Sequence, residues 1–319
     1  PNSGSRKTPG PCRITPMNKK NSDAFSRYSK LPTEQSNPRT LDLDRLPLRR
    51  VLEKLNYEDS LVPRAVAKAI PQIEKAARAV SRSYLSGGRI YFIGAGTSGR
   101  LGVLEAAEIP PTYGVAPEVF TALMAGGRPA VFHSKEGAED VFGNGEKEIS
   151  RLARRGDTVI GIAASGITPY VQGGLAAGRK AGAVTVLVTC NPREKAKEAS
   201  IRVALDVGPE PVSGSTRMKS GTATKLALNM LSTSSMIISG KVYRNWMVDV
   251  KTTSKKLVLR AERITATVGG VDQGEARRLL DLTGNDVKTA IVMARLGVSR
   301  ERAAGRIKKA KGFLKNILG

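Results

Sequence analysis

The chain has 319 residues, 40% of them apolar and 4% aromatic, with 52 Lys and Arg against 28 Asp and Glu for a formal charge of +24. That length and apolar share support one large packed domain with a small appendage, whereas no apolar run approaches the roughly 18–20 residues of a membrane helix and no signal-type apolar core opens the chain. Cys12 and Cys190 are the only cysteines, which excludes a disulfide framework or a cysteine-built zinc site and points to a cytoplasmic protein without a membrane partner. The basic charge raises nucleic-acid binding as a reading. It is spread over the N-terminal tail, several helices and the C-terminus, without an arginine–aromatic ladder or a nucleic-acid motif. It therefore speaks to steering of anions, and no specific nucleic acid is expected.

In chain order, residues 1–30 are rich in Pro, Ser, Asn, Lys and Arg, with Asp23 as the one acid. Such a stretch buries little and is expected to be a disordered basic tail. A short helix is expected near 47–55. Val66, Ile70, Ile73, Ala77, Val80 and Tyr84 then recur at spacings of three and four, the stripe of an amphipathic helix. Pro71 demands a kink or restart within it. Gly87-Gly88 ends this helix, and a strand over 89–93 leads into residues 91–114, YFIGAGTSGRLGVLEAAEIPPTYG. Gly94, Gly96 and Gly99 allow a tight turn and a close backbone approach to a ligand. Thr97 and Ser98 suit the cap of the next helix, and Pro110-Pro111 should end it.

Further strands are expected over 119–124, 158–162, 184–189 and 201–205, with helices over about 141–154 and from the Thr168-Pro169 start to about 181. Strands alternating with helices imply parallel βαβ units, hence an α/β fold: a doubly wound parallel sheet flanked by helices, with ligands at the carboxyl ends of its strands. A polar turn at 213–217 opens a long helix to about 239, and Leu257, Ala261, Ile264 and Val268 form the stripe of another. Beyond Gly269-Gly270, helical pieces near 273–282, 286–296, 300–308 and 312–318 have no strand between them, as in a small C-terminal helical bundle. The expected organisation is a tail over 1–30, an α/β domain over 31–268 and a helical domain over 269–319.

Three turns, GAGTSG, AASG and SGSTR, each combine Gly with Ser or Thr and each open a helix. One such turn is explained by helix capping alone. Three in the loops above one sheet favour a phosphate monoester, held by hydroxyl and backbone N–H donors at helix starts. The dinucleotide fingerprint fits only loosely, since no acid ends a second strand at the required distance, and the Walker pattern is absent. The candidate phosphate-binding residues are Gly96, Thr97, Ser98, Ser165, Gly166, Thr168, Ser215 and Thr216. The candidate carboxylates are Glu105, Glu108, Glu136, Glu139 and Asp140. Glu108 sits among Ala106, Ala107, Ile109 and Pro110, an apolar setting suited to a general acid, while Glu136 and Glu139 could share a helix face. His133 is the single histidine, so no histidine metal cluster can form within the chain, and Trp246, the single tryptophan, reads as core or interface.

The stretches over 94–114, 136–140 (EGAED), 161–171 (GIAASGITPYV), 190–192 (CNP), 208–233 (GPEPVSGSTRMKSGTATKLALNMLST) and 240–250 (GKVYRNWMVDV) resemble the N-acetylmuramic acid 6-phosphate etherases of the sugar-isomerase-domain (SIS) superfamily. The resemblance runs in order, with matching spacing, from about Thr33 to the C-terminus. It implies a lyase that cleaves the D-lactyl ether of its sugar-phosphate substrate by elimination and then hydration, with no cofactor and no metal. It implies that Glu108 is the proton donor and Glu139 the other catalytic acid, a base for the sugar C2 proton. It also implies a homodimer whose sites are built between subunits, and a C-terminal bundle like a ubiquitin-associated domain. The family often has Arg where this chain has Ile167. The competing readings are a sugar-phosphate-sensing regulatory protein of the same superfamily, without turnover, and an aldose–ketose phosphate isomerase.

Overall fold

A computed structural model of the chain describes residues 29–195 and 197–319. The expected basic tail lies outside the described residues except for its last two positions. Five parallel strands form the central sheet: β1 (Ile90–Gly94), β2 (Phe120–Met124), β3 (Thr158–Ile162), β4 (Val184–Thr189) and β5 (Ile201–Ala204), in the order β2-β1-β3-β4-β5. The expected α/β doubly wound sheet is therefore observed. Gly94 pairs with Met124 on one side and with Ile162 on the other, so three carboxyl ends fall level. β1 and β3 are buried along their whole length, as strands covered on both faces must be.

The two faces are read by alternate residues. Ile90 and Phe92 of β1 join one apolar cluster with Ile160 and Ile162 of β3, while Tyr91, Ile93 and Val159 join the opposite one. The first face is covered by α2 (Val62–Lys68), α3 (Ile70–Leu85), α4 (Gly96–Tyr113) and α8 (Lys219–Ile237), after an outer helix α1 (Leu48–Ser60). The second is covered by α6 (Phe142–Leu152) and α7 (Pro169–Lys180), with the one-turn α5 (Pro129–Phe132) between β2 and α6. Pro71 lies in the first turn of α3, where its missing N–H removes no hydrogen bond, so the expected restart separates α2 from α3.

Two local expectations are corrected. Pro110 and Pro111 do not end α4, which continues to Tyr113. Two adjacent prolines so near the end forfeit only two backbone bonds, and Gly114 (φ +64°) closes the helix by donating its N–H to the Pro110 carbonyl at 3.0 Å. Thr97 and Ser98 do not cap α4 either, because the helix starts at Gly96 with Ala95 in the capping position.

The C-terminal region is helical: α9 (Lys255–Gly269), α10 (Gln273–Thr283), α11 (Val287–Leu296), α12 (Arg300–Lys309) and the short α13 (Lys315–Leu318). A two-stranded ribbon, β6 (Val242–Tyr243) and β7 (Trp246–Met247), precedes them. Their core is a third cluster that includes Tyr243, Val248, Val250, Ala261, Ile264, Leu280, Ile291 and Leu314. Trp246 packs at its margin under the Arg263 guanidinium, 5.8 Å from the ring centre. No helix among the described residues is long and apolar enough to cross a membrane.

Helices α6 and α7 cross at backbone contact. A Cβ on Gly145 would lie 1.9 Å from the Tyr170 carbonyl oxygen, and one on Gly173 would lie 2.1 Å from that of Phe142. Backbone cannot yield as a side chain can, so Gly173→Ala is expected to cost about 1–3 kcal/mol and to lower Tm by several degrees. Gly143→Ala on the same α6 meets nothing within 4 Å and is expected to stabilise by up to about 1 kcal/mol through helix propensity. Thermal unfolding of the two variants checks the contrast.

Candidate functional site

The loops that leave β1 and β3 lie side by side. The helices they enter, α4 and α7, go to opposite faces of the sheet. A crevice opens at such a topological switch point. Here it is a cleft of about 610 Å³, lined by Ala95 to Ser98 from the first loop, Ala163 to Ser165 and Ile167 to Pro169 from the second, and Gly214 to Arg217 from the third. Of the expected phosphate-binding residues, Gly96, Thr97, Ser98, Ser165, Thr168, Ser215 and Thr216 face this one cleft. Gly166 does not line it but makes the second turn, at φ +77°. Gly99 makes the first turn compact: a Cβ there would lie 2.4 Å from the Met124 sulfur and 2.7 Å from the Gly94 carbonyl oxygen.

Capping and ligand binding are separable explanations of the hydroxyls, and the helix starts distinguish them. In the C-terminal region Ser254, Asp272, Asp286 and Ser299 each accept a backbone N–H at the start of α9, α10, α11 and α12. None of the three cleft helices α4, α7 and α8 has a side-chain cap from its own N-cap residue. Thr168 occupies the capping position of α7 without making the bond. Ser165 turns its Oγ to the Ile167 N–H at 3.3 Å. The hydroxyls of Thr97, Ser98, Thr168, Ser215 and Thr216 make no hydrogen bond to the described residues.

The start of α8 is secured from elsewhere. Glu210 is fully buried, and its two carboxylate oxygens accept the N–H groups of Lys219 (2.8 Å) and Ser220 (2.9 Å). The Lys219 ammonium, itself fully buried, donates to Glu58 at 2.7 Å. Glu58 also takes bonds from Arg39 and, at 2.8 Å, from Asn37. The segment that carries Asn37 holds the third loop directly: Thr40 Oγ1 donates to the Pro211 carbonyl (2.8 Å), and Gly214 N–H donates to the Thr33 carbonyl (3.1 Å). Residues 31–40 are thus a brace, and their Leu31, Thr33 and Glu34 line the cleft. Sequence reasoning passed over this segment, because its partners in the third loop lie some 170–180 positions away.

The carboxylates divide. Glu136, Glu139 and Asp140 line the cleft on a one-turn helix over Ala138–Asp140 and the turn before it. Glu139 is exposed, but desolvation on its cleft side pushes its carboxyl above the usual glutamate range, and the neighbouring Asp140 and Glu136 charges push the same way. Glu105 is buried and engaged by the Lys225 ammonium, which ties α4 to α8. Glu108 is exposed on α4 and does not line the cleft. One chain therefore does not bring Glu108 and Glu139 together, nor does it give Glu108 the apolar enclosure its neighbours in sequence suggested. His133 is exposed and outside the cleft lining. Among the described residues no group of three or more His, Cys, Asp and Glu could hold a metal ion.

Two cleft-lining arginines were also not singled out from sequence. Arg100 donates from Nε to the Val131 carbonyl (2.7 Å) and from Nη2 to that of Ala130 (2.9 Å), which tethers α5 and the carboxylate-bearing segment behind it. Arg217 ends the third loop. Behind Glu136 and Glu139 the cleft continues into a chamber of about 120 Å³ lined by Met124, Ala125, Ala130 and Lys135.

Known proteins are similar over most of the chain. A family model for the glucokinase regulatory protein N-terminal SIS domain matches residues 72–179. The N-acetylmuramic acid 6-phosphate etherase of Rhizobium rhizogenes is 48% identical over 92% of this chain and 96% of its own length. That of Oceanobacillus iheyensis is 48% identical over 90% and 98%. Among solved structures, a phosphoheptose isomerase from Francisella tularensis aligns with a TM-score of 0.45 at 15% identity, over 60% of this chain and 98% of that one.

The brace has a pH signature. Burial alone would raise the Glu58 carboxyl, but bonds from Arg39, Lys219 and Asn37 outweigh it and hold the group at about 2. Its contribution is therefore complete above the ordinary glutamate range and is lost as pH falls from about 4.5 to about 2, on the order of 3 kcal/mol in all. Denaturant melts across that window should fall more steeply for the parent chain than for the Glu58→Gln/Lys219→Met double variant. Equal slopes would remove Glu58 as the source.

Proposed function

The chain belongs to the N-acetylmuramic acid 6-phosphate etherase family, and from that premise we propose that it cleaves the D-lactyl ether of N-acetylmuramic acid 6-phosphate to N-acetylglucosamine 6-phosphate and D-lactate. The observation that carries this reading is the meeting, in one cleft, of three loops with unspent hydroxyls and a carboxyl group, Glu139, whose proton affinity is raised. The loops suit the phosphate, and two of them add the positive ends of α4 and α7.

The reaction is an elimination followed by an addition. Glu139, as carboxylate, takes the proton from sugar C2, and that electron pair becomes the C2–C3 double bond while the C3–oxygen bond breaks. The lactate oxygen leaves with a proton from the general acid. Water then adds, its hydroxyl to C3 and a proton to C2, so that ether plus water gives alcohol plus D-lactate. A base with raised proton affinity suits the first step. Glu108 is the proton donor in this reading, and its exposed position asks for a second copy of the chain to bring it to a cleft. Exposed apolar side chains favour such a homodimer: Leu104 lies one turn from Glu108, and Phe132 and Phe142 flank the carboxylate loop. A regulator that binds without turnover is less favoured, since this chain spans 96% of a full-length etherase at 48% identity.

Lactate release from the muramic acid phosphate tests the activity; intact folded protein that releases none overturns the reading. Glu139→Gln is expected to lower kcat by about 10²- to 10⁴-fold. Because the base must be ionised, kcat/KM should fall as pH drops through the raised Glu139 value, and Asp140→Asn should move that acidic limb to lower pH. Co-expressed Glu108→Ala and Glu139→Gln chains should recover about a quarter of parental activity if each site draws on both subunits of a two-fold dimer. Activity no higher than either variant alone would contradict the shared site.

A further inference from the structure

The third loop is built differently from the other two. Helices α4 and α7 have no side-chain cap at the cleft, whereas the first N–H groups of α8 are occupied by the buried Glu210 carboxylate. A negative charge there also offsets the positive end of α8. The third loop thus offers hydroxyls without helix-end charge. What it has in addition is Arg217, whose exposed side chain lines the cleft and makes no ion pair or hydrogen bond with the described residues. The other guanidinium lining the cleft, Arg100, is engaged on two backbone carbonyls. Around them stand Glu34, Glu136, Glu139 and Asp140, and position 167 in the second loop is an isoleucine. An anion entering among four carboxylates needs a cation with free donors nearby.

We propose that Arg217 grips an oxyanion of the bound sugar phosphate. The inference rests on the etherase reading, under which the substrate carries two oxyanions, the 6-phosphate and the lactyl carboxylate. The planar guanidinium fork matches either one with two parallel hydrogen bonds. Glu210 and the Glu58–Lys219 pair set where the fork begins, since Arg217 lies two residues before the pinned start of α8.

Calorimetric titration of the full chain tests this, with Glu139→Gln as the background so that the muramic acid phosphate is not consumed. Arg217→Met in that background is expected to weaken binding of N-acetylmuramic acid 6-phosphate by about 10- to 100-fold, and Arg217→Lys, which keeps the charge without the fork, by less. N-acetylglucosamine 6-phosphate, which lacks the lactyl group, separates the two anions. Equal weakening of both ligands assigns the grip to the phosphate; weakening of the muramic compound alone assigns it to the carboxylate. Affinities of Arg217→Met within twofold of the background for both ligands overturn the proposal, and a background chain that binds neither ligand overturns it together with the etherase reading. A parent chain that binds the muramic compound but releases no lactate sinks the etherase reading alone, because the titrations still decide whether Arg217 holds an anion.

Discussion

The adjacency of β1 and β3 is the constraint on which everything else depends. Their pairing sets Gly94 beside Ile162, so two glycine-containing turns leave the sheet at the same level. Because α4 and α7 then cover opposite faces, the turns diverge instead of packing on each other, and the space between them is the cleft. Hydrophobic alternation enforces this arrangement. A one-residue slip of β1 would exchange Ile90 and Phe92 with Tyr91 and Ile93 between the two apolar clusters.

The third loop comes from outside that register and is held by charge. A buried ion pair is a costly device, and its removal from one side leaves an uncompensated charge in the interior. Glu58 and Lys219, with side chains 1% and 0% exposed, form such a pair. Its consequence is geometric: the start of α8 is fixed by Glu210 and Lys219, and no serine or threonine of the loop is needed as a cap. The hydroxyls of Ser215 and Thr216 are thereby left to the cleft. The Glu210 carboxylate also offsets the helix-end charge that the first two loops supply, and Arg217 is the cation that stands at this loop instead.

Legibility followed the range of the interaction. β3 and β4 match their expected limits because a buried parallel strand is a run of β-branched residues between polar turns, a signal contained within five or six positions. The Pro71 restart and the Thr168-Pro169 helix start are equally local. Pro110-Pro111 misled because proline opposes a helix through bonds to the preceding turn, and only the observed Gly114 closure reveals how little is lost at a helix end. The brace from Leu31 to Thr40 and the Glu58–Lys219 pair were not legible, since nothing in a local pattern announces a partner 161 positions away. Arg100 was hidden for a different reason: its partners are backbone carbonyls, which any sequence would offer. For Glu108, the apolar neighbours Ala106 and Ile109 turn into the chain's own core, while Glu108 itself projects from the exposed face of α4.

Turnover in heavy water separates the two-step reaction from direct displacement, because elimination and hydration leave a mark that simple hydrolysis does not. If Glu139 removes the C2 proton and the cleft exchanges it with solvent, N-acetylglucosamine 6-phosphate formed in D2O carries one non-exchangeable deuterium at C2, in step with D-lactate. Product formed with lactate but without deuterium at C2 would contradict the account.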